Sequence, residues 1–330
     1  MKIAVFRPKK GELKAVIRSY DDLIILSYLL EKGDHLTAYS RRKITVGSEQ
    51  EIKLVKIGLS VETTELEDNS LSVSGKIDYS SDENVPLHKY HTINITIKTG
   101  FSLEKKRFLN FQVKMISKSK ERSPKIAICV YEDGYAIFYR ITNYSLRKAY
   151  ELKESVSGKM FKNTTRHNFL EKLAKSISEE HNKVKWDLFI VAGTSMDNEE
   201  LRREYLSDIT NIQYETVSYA HTGIKELMNK DKINELLKST QVSLQRKLIK
   251  EFINDISNGN TDYAYGYDVI KEKMSSSVPE RAILTRDFVT EHRDLVEELD
   301  KAGADMVFFG EKDESLDLLN GFGGAIVKFS

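Results

Sequence analysis

The stretch Ser19-Tyr20-Asp21-Asp22-Leu23, continued by Gly33-Asp34 and then by Arg41-Arg42-Lys43, decides how the first third of this chain folds. Leucines recur at helical spacing from Leu23 to Leu30, and the aspartates before them can accept the unpaired N–H groups of a helix's first turn. Gly33 supplies the permissive backbone at which a helix ends. The stretch therefore predicts a short capped helix on a small sheet, followed by a strand with a basic end or loop.

The length and composition of the chain limit its class. Its 330 residues are enough for two or three domains, and a net charge of +1 leaves nucleic-acid binding to local clusters. The one cysteine, Cys129, excludes an intrachain disulfide framework and a multi-cysteine zinc site. No segment approaches the ~18 apolar residues of a membrane span, and no signal peptide is visible. We therefore expect a cytoplasmic protein with no membrane contact.

Three segments differ in their hydrophobic patterning. Residues 1–118 contain several short alternating strands and one helix, which is typical of a small curled sheet or barrel. The polar run at 117–124 indicates a linker, because it is charged and ends in a proline. Strand and helix patterns then alternate to the end of the chain, which predicts two α/β domains, at 124–221 and 222–330.

The opening stretch is followed, in order, by three others of distinct character: the apolar run at 186–193, Tyr265-Gly266-Tyr267 before a helix, and the glycine-rich run at 321–329. In this order they resemble the archaeal and eukaryotic Pelota family, the ribosome-rescue relatives of class-1 release factors. At Ala220-His221 the chain departs from the glycines that the family has there. The resemblance implies an N-terminal Sm-like β-barrel followed by two α/β domains of release-factor type.

The resemblance also implies a function. A Pelota-type factor recognises a stalled ribosome with an empty decoding site and contacts its ribosomal RNA and mRNA. With an elongation-factor-like translational GTPase and an ABC-type ribosome-recycling ATPase it promotes subunit dissociation and no-go mRNA surveillance, as a monomer. A release factor needs Gly-Gly-Gln to admit water to the peptidyl-tRNA ester, whereas the one Gly-Gly here, Gly323-Gly324, is followed by Ala325. We therefore expect no peptide release.

Three clusters of cations are the predicted contact sites, with a merely solvated surface as the alternative for each. They are Arg41, Arg42 and Lys43; Lys105, Lys106 and Arg107; and Lys159, Lys162 and Arg166. Adjacent cations on an exposed loop attract a phosphate backbone, so we expect the first two clusters to bind RNA. The third lies where release factors carry their catalytic loop, and the resemblance implies a contact with the ribosome or the GTPase.

Asp21 and Asp22 suggest an alternative function. Paired carboxylates can hold Mg²⁺ or Mn²⁺ and activate water, so the alternative is a divalent-metal-dependent endoribonuclease that cleaves stalled mRNA. Neighbouring side chains diverge on a helix, however, and capping of the helix start already accounts for both aspartates. The sequence leaves metal binding and helix capping open at this pair.

Overall fold

The computed structural model describes residues 1–46, 49–154, 162–238, 240–309 and 314–330. The chain forms two compact units, one of Met1–Arg122 with Ile249–Ser330 and one of Ser123–Leu248. The first division therefore lies inside the polar run that was predicted to be a linker. No helix in the described ranges is long and apolar enough to cross a membrane.

The N-terminal part of the first unit is a seven-stranded antiparallel sheet. Its strands are β1 (Lys2–Arg7), β2 (Glu12–Val16), β3 (His35–Val46), β4 (Glu49–Leu66), β5 (Ser70–Ser80), β6 (Tyr90–Thr96) and β7 (Gly100–Glu104), in the order β1-β2-β7-β3-β4-β5-β6. Buried and exposed side chains alternate along β5 and β6, as expected for a sheet with one face in the core.

Helix α1 (Tyr20–Leu29) lies in the core of this part, with every one of its residues buried. It begins after Ser19 as predicted, and Asp22 accepts hydrogen bonds from the backbone N–H groups of Arg18 and Ser19 at 2.7 and 3.3 Å. A helix that is apolar on all sides must be covered on all sides. Strands β4 and β5 contact α1, and so does helix α2 (Asn110–Lys118), which the sequence patterning did not reveal.

The second unit is a five-stranded mixed sheet with helices on both faces. Its elements are β8 (Ile126–Glu132), β9 (Tyr135–Ile141), β10 (Leu146–Lys153), α3 (Lys162–Lys183), β11 (Leu188–Gly193), α4 (Ser195–Glu200), β12 (Ile212–Thr216), α5 (Ala220–Met228), α6 (Asp231–Leu237) and the first part of α7 (Gln241–Ser257). The strand order is β10-β9-β8-β11-β12, and β11 runs parallel to both of its neighbours. The other pairs are antiparallel.

Helices α5 and α6 belong to this second unit, which extends to Leu248 within α7, and the predicted boundary between 221 and 222 falls inside α5. The reason is that the central sheet has two faces to cover. Phe169 of α3 packs with Cys129 of β8 on one face, whereas Leu227 of α5 packs with Val130 of β8 on the other. Without α5 and α6 the apolar side chains of that second face would remain in water.

The C-terminal part of the first unit is a smaller α/β layer. It consists of β13 (Tyr263–Tyr265), α8 (Tyr267–Lys273), β14 (Pro279–Leu284), α9 (Arg286–Glu291), α10 (Arg293–Ala302), β15 (Asp305–Phe308), α11 (Glu314–Gly321) and β16 (Ala325–Phe329), with the strand order β13-β16-β14-β15. Asp300 joins it to the N-terminal part by accepting hydrogen bonds from the backbone N–H groups of Asn110 and Phe111, the first turn of α2. A β domain followed by two α/β layers confirms the predicted fold class.

Candidate RNA-binding surface

Strands β3 and β4 form a hairpin that extends past the rest of the sheet. They pair along all twelve residues of β3. Strand β7 accompanies β3 as far as Ala38, and β5 accompanies β4 from Ile57 onward. Residues 39–46 and 49–56 therefore continue as a two-stranded ribbon, whose base still contacts the rest of the domain where Ser40 hydrogen-bonds to His91 and the N–H of Ser81 donates to the Lys56 carbonyl. A ribbon of this kind can enter a groove of a partner that a flat sheet cannot enter.

The predicted cations Arg41, Arg42 and Lys43 do not share one face of this ribbon. Arg41 lies opposite Leu54 and Lys43 lies opposite Ile52 in the antiparallel ladder, and all four side chains are exposed. Arg42 points the other way in the strand alternation and is half-buried. The structure therefore brings two of the three predicted cations together on one surface.

Six exposed side chains form this surface, which we call the hairpin face: Tyr39, Arg41, Lys43, Ile52, Leu54 and Lys56. Ile52 and Leu54 are each 66% exposed, and Tyr39 is 59% exposed. None of the three cations forms an ion pair with another residue of the described ranges. Exposed large apolar side chains beside uncompensated cations indicate an interaction surface rather than a merely solvated one.

The apolar half of the hairpin face was missed at the level of sequence. Ile52 and Leu54 stand before Ile57 and Leu59 in one apolar series, but they have the opposite parity, and residues of opposite parity face opposite sides of a strand. Ile57 and Leu59 are fully buried, whereas Ile52 and Leu54 are exposed. The change of parity within β4 was the available signal.

Lys105 was predicted to bind RNA, and the structure buries it instead. Its side chain is 1% exposed, and its ammonium group contacts the carboxylates of Glu31 and Asp34, the latter at 3.2 Å, and the carbonyl of Leu29 at 2.6 Å. Burial raises the pKa of Asp34 to about 6, although the positive charge of Lys105 acts in the opposite direction. Lys105 is therefore an internal counter-ion and does not lie on an RNA-binding surface.

The other predicted cations have different surroundings. Lys106 and Arg107 are exposed, and the guanidinium group of Arg107 contacts the carboxylate of Glu297. The three residues of the second predicted cluster therefore have different surroundings: Lys105 is buried, Lys106 is exposed, and Arg107 is exposed but paired with Glu297. Lys159 lies outside the described residues. Lys162 begins α3 and Arg166 follows in the same helix, but their side chains also lie outside the described part, so the third cluster stays a prediction.

Asp21 and Asp22 are both buried. Besides the backbone N–H groups of Arg18 and Ser19, Asp22 accepts a hydrogen bond from the Met1 amino group at 2.5 Å, so its oxygens serve the helix start and a neighbouring cation. Within the described ranges, no group of three or more His, Cys, Asp or Glu side chains could hold a metal ion. The geometry therefore supports the capping interpretation for Asp22 and gives no support to a metal site at the pair.

Comparison with known proteins extends over the whole chain. A family model of the Pelota N-terminal domain matches residues 1–120. The protein pelota homolog of Thermococcus onnurineus is 26% identical in an alignment 348 residues long, which covers 98% of this chain and 97% of that protein. The homolog of Pyrococcus furiosus is 26% identical in an alignment 354 residues long, which covers 100% of this chain and 99% of that protein.

Solved structures share the fold. The crystal structure of the Thermoplasma acidophilum Pelota protein matches with a TM-score of 0.75 at 14% identity and covers 100% of this chain and 99% of that chain. Dom34 of S. cerevisiae matches with a TM-score of 0.52 at 17% identity, and the match covers 100% of this chain and 98% of that chain. The matched N-terminal domain and the full-length relatives agree with the motif order: residues 1–120 match the Pelota N-terminal domain, and the chain is similar to Pelota proteins over its whole length.

Proposed function

We propose that this protein is a ribosome-rescue factor. It recognises stalled ribosomes whose decoding site is empty and binds there as a monomer, in the cytoplasm, through ribosomal RNA and mRNA. A translational GTPase that resembles an elongation factor delivers it, and an ABC-type recycling ATPase then separates the subunits, which serves no-go mRNA surveillance. The factor contributes shape and charge, while its partners hydrolyse the nucleotides.

The hairpin face is the observation that carries this proposal. It combines cations that form no ion pair within the part of the chain that the structure describes, which suit phosphates, with exposed Ile52 and Leu54, which suit a binding partner rather than water. The face lies on a ribbon beyond the sheet, so it can enter a confined site such as an empty decoding centre. The ribbon is also anchored, because β3 and β4 continue into the seven-stranded sheet.

A relative with the same fold supports the choice of pathway. S. cerevisiae Dom34 is described as a translation termination-like factor involved in RNA quality control pathways and interacting with Hbs1. A partner protein of that kind fits the GTPase in our proposal. Lys159, Lys162 and Arg166 are the residues of this chain that we propose for contact with the GTPase or the ribosome.

The proposal includes neither peptide release nor RNA cleavage. Peptide release requires the Gly-Gly-Gln tripeptide, and the sequence lacks it. Cleavage of mRNA by a bound Mg²⁺ or Mn²⁺ would need free carboxylates at Asp21 and Asp22, whereas Asp22 is occupied by the helix start and by the Met1 amino group. A metal ion therefore has no role in the mechanism that we propose.

The proposal predicts a preference for ribosomes with an empty decoding site. Co-sedimentation with ribosomes that carry tRNA in that site, and with ribosomes that do not, measures the two affinities. We expect vacant ribosomes to bind at least about tenfold more tightly, which corresponds to ~1.4 kcal/mol. The reason is that a tRNA would occupy the space that the hairpin must enter. Equal affinity for the two kinds of ribosome would contradict the proposal.

A further inference from the structure

The outer face of the seven-stranded sheet carries an open groove of about 710 Å³ beside the hairpin face. Its floor consists of small residues: Thr37 of β3 lies opposite Ser102 of β7, and Gly100 lies two residues earlier on β7. A Cβ added at Gly100 would make an ordinary van der Waals contact with Cγ2 of Val16 at 3.7 Å, so the site is not crowded. The volume falls within the range of ~300–1,000 Å³ that is usual for ligand sites.

Two tyrosines line the groove. Tyr39 is 59% exposed and Tyr79 is 45% exposed. Gly58 on β4 is the ladder partner of both Thr37 and Tyr79, and a Cβ there would come within 2.9 Å of the Tyr79 Cβ and 2.8 Å of the His35 ring. The absence of a side chain at Gly58 therefore allows Tyr79 to lie close to the floor. Two large aromatic side chains thus remain partly exposed beside a floor of small residues.

The groove is positively charged. Three lysines line it, Lys14, Lys56 and Lys98. Among the described residues of the lining, Glu104 is the one acidic side chain against them. None of the three lysines forms an ion pair within the part of the chain that the structure describes. Lys98 has a backbone φ of 76°, in the left-handed region that residues with a side chain rarely adopt. The fold therefore holds a lysine at the groove despite the cost in backbone energy.

We propose that this groove binds a short segment of single-stranded RNA. Tyr39 and Tyr79 stack on the bases, as exposed aromatic side chains of sheet surfaces do in single-strand binding proteins. The three lysines neutralise phosphates. The inference rests on the proposed function, because Tyr39, Leu54 and Lys56 belong both to the groove and to the hairpin face. The RNA in the groove is then the mRNA of the stalled ribosome.

A single strand fits these features better than other anionic partners. In a duplex the base faces are stacked on one another, so two exposed tyrosines gain nothing from it. An acidic peptide would satisfy the lysines but would leave the tyrosines without a stacking partner. Every nucleobase has a π face, so a single strand uses the aromatic side chains and the lysines together.

Fluorescence anisotropy with the full chain and a labelled RNA of about eight nucleotides, within the usual site sizes of ~4–16, tests the inference. We expect Tyr39→Leu and Tyr79→Leu each to weaken binding about fivefold or more, because each removes one base stack. Tyr39→Phe and Tyr79→Phe should restore the affinity, since they retain the ring. Tyr90→Leu is the matched control, because Tyr90 is 65% exposed on β6 of the same sheet but does not line the groove.

A strand of the same length without bases separates stacking from charge. Wild type and the two leucine variants should bind this abasic strand equally weakly. Unchanged RNA affinity in both leucine variants would overturn the inference, and so would a glutamate peptide that binds the groove when the RNA does not. No ribosome is present in these measurements. A chain that prefers vacant ribosomes but binds RNA without regard to the tyrosines would therefore contradict this inference alone.

Discussion

The double substitution Arg41→Glu with Lys43→Glu should weaken binding to vacant ribosomes by about 10–100-fold, since like charges facing each other across an interface cost several kcal/mol. Both side chains are exposed on the hairpin face and form no ion pair within the described ranges, so their charge is available to a partner. The salt dependence should flatten as well. Each phosphate contact that is lost lowers the slope of log K against log salt by about one.

The control for this prediction keeps the change in net charge and moves it to another place. Lys9 and Lys10 are exposed in the same domain, outside the hairpin. We expect Lys9→Glu with Lys10→Glu to leave ribosome affinity within about twofold of wild type, because these lysines do not belong to the hairpin face and salt screens exposed charges outside a contact. If both double variants weaken binding equally, net charge explains the effect and the hairpin face has no special role.

Lys105→Met should destabilise the first unit by about 3–5 kcal/mol, the usual cost of removing one partner from a buried ion pair. The Lys105 side chain is 1% exposed, and its loss would leave the carboxylates of Glu31 and Asp34 without their shared counter-ion. Urea unfolding followed by far-UV circular dichroism measures the loss. Lys106→Met is the matched control, because Lys106 is exposed and should change stability by less than about 0.5 kcal/mol.

The ionisation of Asp34 offers a second measure of the same interaction. Burial raises its pKa to about 6, above the ordinary value of 3.8, and Lys105 restrains that rise. A carboxyl with a raised folded-state pKa stabilises the fold below pH 3.8, and the contribution is lost as the pH rises through about 6. In Lys105→Met the pKa of Asp34 should rise further, as an NMR titration would show. An unchanged pKa together with unchanged stability would contradict the internal counter-ion.

The fold was predictable to the extent that local patterns specify it. The helix after Ser19 and the two α/β layers follow from periodicity and capping, which depend on near neighbours. The end of the second unit was not predictable in this way. Helices α5 and α6 are assigned by the sheet face that they cover, through contacts such as Leu227 with Val130 that join distant parts of the sequence.

The site was less predictable than the fold. A run of cations in the sequence does not reveal which of them are exposed, and Lys105 shows the consequence, because its neighbours in space are Glu31 and Asp34. Strand alternation separates Arg42 from Arg41, and it would have identified Ile52 and Leu54 as exposed if the parity of β4 had been followed. Pairing between strands, rather than adjacency in sequence, assembles the hairpin face.

Subunit splitting tests the central claim most directly. Ribosomes stalled on an mRNA with an empty decoding site are mixed with this protein, the translational GTPase, the recycling ATPase, GTP and ATP. Light scattering follows the subunits while a gel follows the mRNA. We predict a fall in scattering that depends on this protein and slows in the Arg41→Glu, Lys43→Glu variant, with the mRNA intact. Cleaved mRNA without splitting, or splitting at the same rate without this protein, would contradict the account.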